Sequence, residues 1–199
     1  MNGHQRRLEQ NKERIIHAAL ETFGTHGIKK TSISDVAQKA GVTPVTIYNH
    51  FSSKEGLVIA AVEYFLISSA TDIRQIMDRD IPYSEKIGQI FLYKSDMMGR
   101  YQGELLRTIA SEDPVIRQHV ETVYRVEIIP YMIEFWEEGK RQGYINPEIS
   151  TETIMRYSEM VRTGMAAESG LSDDPDYNRR WLEEMAPIFL YGIRGRPDK

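Results

Sequence analysis

One stretch in the N-terminal quarter of the sequence carries side chains suited to binding a phosphate backbone and the edges of bases. Tyr48 and Lys54 offer a hydroxyl and an ammonium group to phosphate oxygens, and His50 offers a ring nitrogen. Asn49 has the donor and acceptor pair that reads adenine in the major groove, and Val45 can contact a thymine methyl group. The same stretch has no arginine, so DNA shape is expected to contribute to specificity.

Two short helices joined by a tight turn would hold these side chains against a duplex. Thr31 or Ser32 can cap the first helix, and Thr43 followed by Pro44 places a capping hydroxyl before a proline at the first position of the second. Gly41 between them permits the backbone angles of a sharp turn. The pattern predicts a helix-turn-helix whose second helix enters the major groove.

Helical periodicity extends through the rest of the chain, and no segment shows the alternation of a strand. Ser52 and Glu55 have capping-box spacing for the helix that follows, Pro114 after Asp113 starts another helix, and Pro130 is expected to kink a long one. The predicted helices span about 14–23, 32–39, 44–50, 53–77, 83–98, 101–111, 114–141, 150–168 and 176–193.

These elements predict an all-α fold of about nine helices, with a three-helix head over residues 1–52 and a larger helical body over 53–199. Residues 1–56 hold eight lysines and arginines against five acids, whereas the rest holds seventeen against twenty-four, for a net charge of −4. A basic head on an acidic body indicates that the head binds a polyanion.

Several classes of protein are excluded by composition. The sequence has no cysteine, which excludes disulfides, thiolate metal sites and cysteine nucleophiles. The N-terminus lacks the apolar core of a signal peptide, and no segment approaches the length needed to span a bilayer. A cytoplasmic protein without a membrane partner is therefore expected.

The run from Phe23 to Leu57 resembles the N-terminal signature of the TetR (tetracycline-repressor) family. That signature reads F-x3-G, T-[TS]-[IV]-x-D-[IV]-A, A-G-V-[ST] and T-[IL]-Y-x-[HY]-F-x-S-K-E-x-L. The matching positions are Phe23, Gly27, Thr31, Ser32, Ile33, Asp35, Val36, Ala37, Ala40, Gly41, Val42, Thr43, Thr46, Ile47, Tyr48, His50, Phe51, Ser53, Lys54, Glu55 and Leu57. The resemblance covers the N-terminal quarter; the remainder matches the family only in length and helical pattern.

The resemblance implies which residues of the head contact DNA. Tyr48 and His50 are expected to bind phosphates, and Lys54 is expected to clamp the backbone at the start of the fourth helix. The full set of expected DNA-binding residues is Thr31, Ser32, Thr43, Pro44, Val45, Thr46, Tyr48, Asn49, His50 and Lys54. Val45 departs from the family, which often has glycine or alanine there.

For the body, the resemblance implies a dimer and a pocket for a small apolar or amphipathic ligand of unknown identity, with no cofactor or metal. The expected pocket residues are Phe91, Met98, Tyr101 and Tyr124. The expected dimer residues lie on the last two helices and are Ile154, Tyr157, Val161, Leu182, Met185 and Phe189. The same apolar stripes also suit packing against the protomer's own core.

The function expected from these features is that of a dimeric repressor that binds a palindromic operator and is released by a small-molecule effector. A regulator that needs no ligand, or an activator of the same fold, remains open. An enzyme is a weaker alternative, because His119, Glu121, Glu112 and Asp113 show neither metal-ligand spacing nor a nucleophile motif. A scaffold that no longer reads DNA is a further alternative, which salt-sensitive binding to a duplex would separate from a regulator.

Overall fold

The computed structural model describes residues 3–100, 108, 113–167 and 174–193, and every regular element in these ranges is helical. The all-α prediction is therefore confirmed. The helices are α1 (Gly3–His26), α2 (Ile33–Ala40), α3 (Pro44–Phe51), α4 (Lys54–Met77), α5 (Tyr83–Arg100), α6 (Pro114–Val123), a π-helical segment (Tyr124–Ile128), α7 (Ile129–Arg141), α8 (Thr151–Ala167) and α9 (Pro175–Ile193).

Most predicted helices lie within a few residues of the observed ones, but α1 differs. It begins at Gly3, well before the predicted start at Arg14, because its first turns are solvated and have no continuous apolar stripe to reveal them. The helix predicted over 101–111 lies outside the described residues except for Thr108.

The head and the first half of α4 share one apolar core. Phe23 of α1, Ile47 of α3 and Leu57 of α4 are almost completely buried in it. The core then continues along α4 to α6, where Val120 and Val123 are buried. Helix α4 thus connects the head to the body through continuous packing, across the predicted boundary between residues 52 and 53.

Helix α4 is long and apolar enough to cross a membrane by length and composition alone, with a mean hydropathy of 1.5 over its best window. This corrects the expectation that no segment approaches that length. Its buried residues pack against α1, α3, α5 and α6. This packing buries 39% of that apolar window inside the protein.

The long helix predicted over 114–141 is interrupted by the π-helical segment. The Asp113 carboxylate accepts hydrogen bonds from the backbone N–H groups of Val115 and Ile116, at 2.9 and 3.1 Å, and Pro114 occupies the first turn, as predicted. Ahead of Pro130, the N–H of Ile129 donates to the carbonyl of Tyr124, five residues back. The wider π turn lies just before a proline that has no N–H of its own.

A second core joins α5, α7 and α8. Tyr83 is fully buried and stacks on Phe135, with ring centroids 4.6 Å apart. Beside this stack the buried Lys86 ammonium pairs with Glu138 at 2.8 Å. Helix α9 packs along α5, and this contact encloses the second core from another side.

Candidate nucleic-acid interface

Helix α2 is fixed at both ends by short-range hydrogen bonds. The Ser32 hydroxyl accepts from the N–H of Asp35 at 3.2 Å, and the Asp35 carboxylate accepts from the N–H of Ser32 at 2.8 Å, which completes a capping box. At the other end Gly41 adopts a left-handed conformation, with φ of 63°, and its N–H donates to the carbonyls of Ala37 and Gln38. The chain therefore turns sharply into α3, as predicted.

Thr31 does not contribute a DNA-facing side chain, which corrects the prediction. It is 2% exposed, and its hydroxyl donates to the carbonyl of Gly27 at 2.7 Å. This hydrogen bond holds the turn between α1 and α2. The cap of α2 is Ser32, which is exposed.

Helix α3 presents one face to solvent and the other to the core. The Thr43 hydroxyl accepts from the N–H of Thr46 at 3.2 Å, and Pro44 follows in the first turn. Ile47 and Phe51 are buried against the neighbouring helices and fix the rotation of α3 about its axis. The opposite face is therefore forced outward.

That outward face carries most of the predicted DNA-binding residues, and we call it the reading face. Its members are Pro44, Val45, Tyr48 and Asn49, all exposed. Val45 and Tyr48 are 65% and 50% exposed, and their spacing of three residues places them side by side on this face. Thr46 and His50 are half-buried at its edges.

The link from α3 to α4 differs by one residue from the prediction. Ser53, not Ser52, caps α4, and its hydroxyl accepts from the N–H of Gly56 at 3.0 Å. Ser52 instead ends α3 with a positive φ of 63°. The half-buried Lys54 is the first residue of α4 and lies immediately after this turn, beside the reading face.

Two exposed lysines were missed in the sequence analysis. Lys29 and Lys30 lie in the turn before α2, next to the exposed Ser32. The sequence signal for them is an adjacent basic pair just before a helix start. Their ammonium groups add positive charge to the head just before the start of α2.

Lowering the pH is expected to remove the contribution of the Asp35 carboxylate to the free energy of unfolding. Hydrogen bonds from Ser32 lower the pKa of the Asp35 carboxyl below its ordinary value of 3.8, so the folded state favours the charged form. The stabilisation is complete above the ordinary pKa and is lost as the pH falls through the lowered one. Urea unfolding of the wild type and Asp35→Asn should show a difference at neutral pH that closes in acid; a difference independent of pH would contradict this.

The residues predicted to line one pocket do not come together in the described part of the chain. Phe91 contacts Phe189, with ring centroids 6.4 Å apart, whereas Tyr124 packs on the core shared with the head. Neither lines the two cavities of about 250 Å³, one between α4 and α7 and the other where α1, α4 and α5 meet. The Met98 side chain and Tyr101 lie outside the described residues.

The residues predicted for a dimer interface largely face the protomer's own core. Ile154 and Leu182 are 1% and 6% exposed, and Tyr157 stacks on Phe189 at 5.3 Å between ring centroids. Val161 and Met185 are half-buried. Helix α9 turns this stripe toward α5, which leaves a different apolar stripe outside.

Three large apolar side chains of these two helices are exposed, and we call the positions that carry them the outer face of α8 and α9. Met160 is 70% exposed, Ile188 is 62% exposed and Tyr177 is 45% exposed. Met160 follows the buried Ile154 by six residues and Ile188 follows the buried Leu182 by six, which turns each about 120° away from the buried side of its helix.

Of the residues considered for catalysis, His119 and Glu121 pair with charged side chains of the body, and Asp113 caps α6. His119 of α6 pairs through Nδ1 with Glu63 of α4, and Glu121 lies near Arg117 on its own helix. Glu112 lies outside the described residues. Within those residues, no group of three histidines or acids is placed to hold a metal ion.

The geometry of the head defines a class of protein, the helix-turn-helix DNA-binding proteins. Residues 15–61 match the family model described as bacterial regulatory proteins, tetR family. The chain is 24% identical over 170 residues to the uncharacterized HTH-type transcriptional regulator YerO of Bacillus subtilis, covering 83% of this chain and only 51% of that protein. It is 26% identical over 153 residues to the HTH-type transcriptional repressor KstR2 of Mycolicibacterium smegmatis, covering 73% of each.

Similarity of fold extends through the body. The transcriptional regulator FadR from Bacillus subtilis, solved in complex with stearoyl-CoA, matches with a TM-score of 0.65 and 17% identity, covering 92% of this chain and 99% of that one. The match over residues 15–61 identifies the head of this chain as a tetR-type helix-turn-helix, the DNA-binding element of bacterial transcriptional regulators.

Proposed function

We propose that this chain is a homodimeric repressor that binds a palindromic operator in the cytoplasm and is released by a small-molecule effector. The observation that carries the proposal is the reading face of α3. Val45, Tyr48 and Asn49 are exposed there, on a helix whose cap and buried residues fix its orientation. A rigid helix with exposed polar and apolar groups is what major-groove reading requires.

The rest of the exposed side of the head supplies groups for the phosphate backbone. Lys29 and Lys30 precede the capped N-terminus of α2, and Lys54 begins α4. Together with Tyr48 and His50 they give ammonium, hydroxyl and imidazole groups for contacts to phosphate oxygens. Such contacts position the protein, whereas Val45 and Asn49 supply the contacts to bases.

A dimer is needed because one helix of eight residues offers little affinity alone. Two copies related by a two-fold axis place their α3 helices in successive major grooves, about 34–36 Å apart. The outer face of α8 and α9 is the surface proposed for this contact, because its large apolar side chains are otherwise left in water. Two helices from each protomer would form a four-helix contact.

Charge on the outer face should separate the protomers. Replacing Met160 and Ile188 with aspartate is expected to give a monomer whose affinity for the palindrome falls about a hundredfold, because linkage of the two heads is lost. Sedimentation velocity and fluorescence anisotropy would measure the two effects. Val126→Asp, at a residue 58% exposed on the π-helical segment, is the matched control and should leave both unchanged. A double variant that stays dimeric would contradict this choice of surface.

A ligand would release the dimer from its operator by binding more tightly to a body conformation in which the spacing of the two heads does not match the two half-sites. Helix α4 supports this part of the proposal because it packs in the head at one end and against α5 and α6 further along. The relative KstR2 of Mycolicibacterium smegmatis is a transcriptional repressor, and FadR from Bacillus subtilis was solved in complex with stearoyl-CoA. Both precedents favour a ligand-released repressor over an enzyme.

A further inference from the structure

A cavity of about 250 Å³ lies where α1 of the head meets α4 and α5 of the body. Three aromatic rings line it, those of Tyr64 and Phe65 from α4 and Tyr93 from α5. The carboxylates of Asp72 and Asp96 line it as well. The cavity therefore combines aromatic walls with two acidic groups.

Among the described residues, no lysine or arginine is paired with the two carboxylates of this cavity. Asp72 accepts a hydrogen bond from the Tyr93 hydroxyl at 2.9 Å, which leaves its charge in place. Asp96 makes no hydrogen bond or ion pair with the described residues, and no lysine or arginine is among the residues lining the cavity. A ligand entering here meets two carboxylates and three aromatic residues, whose rings carry negative charge on their faces.

We propose that this cavity binds an organic ammonium ion that carries an aromatic or alkyl group. Aromatic faces and carboxylates both attract a cation, whereas they repel the carboxylate or phosphate of an anionic ligand. The organic part of the ion would pack on Phe65 and the two tyrosine rings. The cavity volume of about 250 Å³ is slightly below the range of about 300–1,000 Å³ for small-molecule pockets, which suits a small amine.

The position of the cavity also gives the ligand a route to the head. His17 of α1 and Tyr64 of α4 form part of its wall, with Nε2 and the hydroxyl oxygen 2.9 Å apart and the rings edge to face at 4.9 Å. A bound cation would therefore lie against a direct contact between α1 and α4. The role of this cavity as an effector site rests on the proposed function, whereas the binding of an ammonium ion there does not.

Calorimetry of the full chain without DNA tests the binding site with three ligands of one shape: benzylammonium, benzyl alcohol and benzoate. Benzylammonium is expected to bind at least about tenfold more tightly than the alcohol, with benzoate weakest. In Asp72→Asn/Asp96→Asn the affinity for benzylammonium should fall about tenfold, toward that of the alcohol. Asp80→Asn, at an exposed residue that does not line the cavity, is the matched control and should leave it unchanged.

Three results would overturn the proposal: no binding of benzylammonium by the wild type, equal affinities for the ammonium ion and the alcohol, or full affinity in the folded double variant. Circular dichroism confirms folding of each variant. Operator binding by the same preparations, measured without ligand, tests the proposed function separately. A chain that binds DNA but not benzylammonium would therefore remove only this inference.

Discussion

Replacing Tyr48 and His50 together with alanine is expected to lower operator affinity at least about a hundredfold, because four hydrogen bonds to charged phosphates are lost per dimer, each worth roughly 1 kcal/mol or more. Tyr48 is 50% exposed and His50 is half-buried at the edge of the reading face, so neither is a major part of the core. The free energy of unfolding should therefore change little. Fluorescence anisotropy with a labelled operator duplex measures the loss.

The control for this variant is Arg117→Ala, which removes an exposed positive charge from the body instead of the head. Its operator affinity is expected to match the wild type. Wild-type affinity in the double variant would show that the reading face does not contact DNA.

The second large effect is expected in the body, where Gly139→Ala should destabilise the fold by about 3 kcal/mol. A Cβ atom at Gly139 would lie 2.5 Å from the Tyr83 hydroxyl oxygen and 2.8 Å from Cδ1 of Ile145. Tyr83 cannot move aside easily, because it is fully buried and its ring lies between those of Phe135 and Tyr144. Urea unfolding followed by circular dichroism measures the change.

A matched pair of variants makes this prediction specific. Gly88→Ala adds the same methyl group to α5 where nothing lies within 4 Å, so it should stabilise the fold by roughly 0.5–1 kcal/mol. The buried hydroxyl of Tyr83 has no hydrogen-bond partner among the described residues, and Tyr83→Phe should therefore be neutral or stabilising and should partly rescue Gly139→Ala. Equal effects of the two glycine substitutions would contradict the packing described here.

The head could be predicted almost entirely from the sequence because its signals are local. The caps at Ser32 and Thr43 and the turn at Gly41 each depend on residues within a few positions, and all three are observed. The error of one residue at Ser52 and Ser53 has a physical reason. Both serines precede α4, and the positive φ of Ser52, set by how α3 ends, decides which of them is the cap.

The surfaces of the body could not be predicted in the same way. Helix α9 has apolar residues on two sides, and only its packing on α5 decides that Leu182 faces inward and Ile188 outward. The cavity at the junction of α1, α4 and α5 depends on how α1 and α5 pack against α4, so no spacing rule brings Asp72 and Asp96 together. Helical periodicity in the sequence identifies an apolar stripe on a helix, but it does not show which other helix packs against that stripe.

Selection of binding sites from a random duplex library tests the central claim most directly. Purified protein at moderate salt is predicted to recover a palindrome whose half-sites are about one helical turn apart, and Tyr48→Ala/His50→Ala is predicted to lose it. Affinity for the selected duplex should fall steeply with salt. Recovery of no motif by the wild type, with weak and sequence-independent binding, would contradict the assignment of this chain as a dimeric reader of DNA.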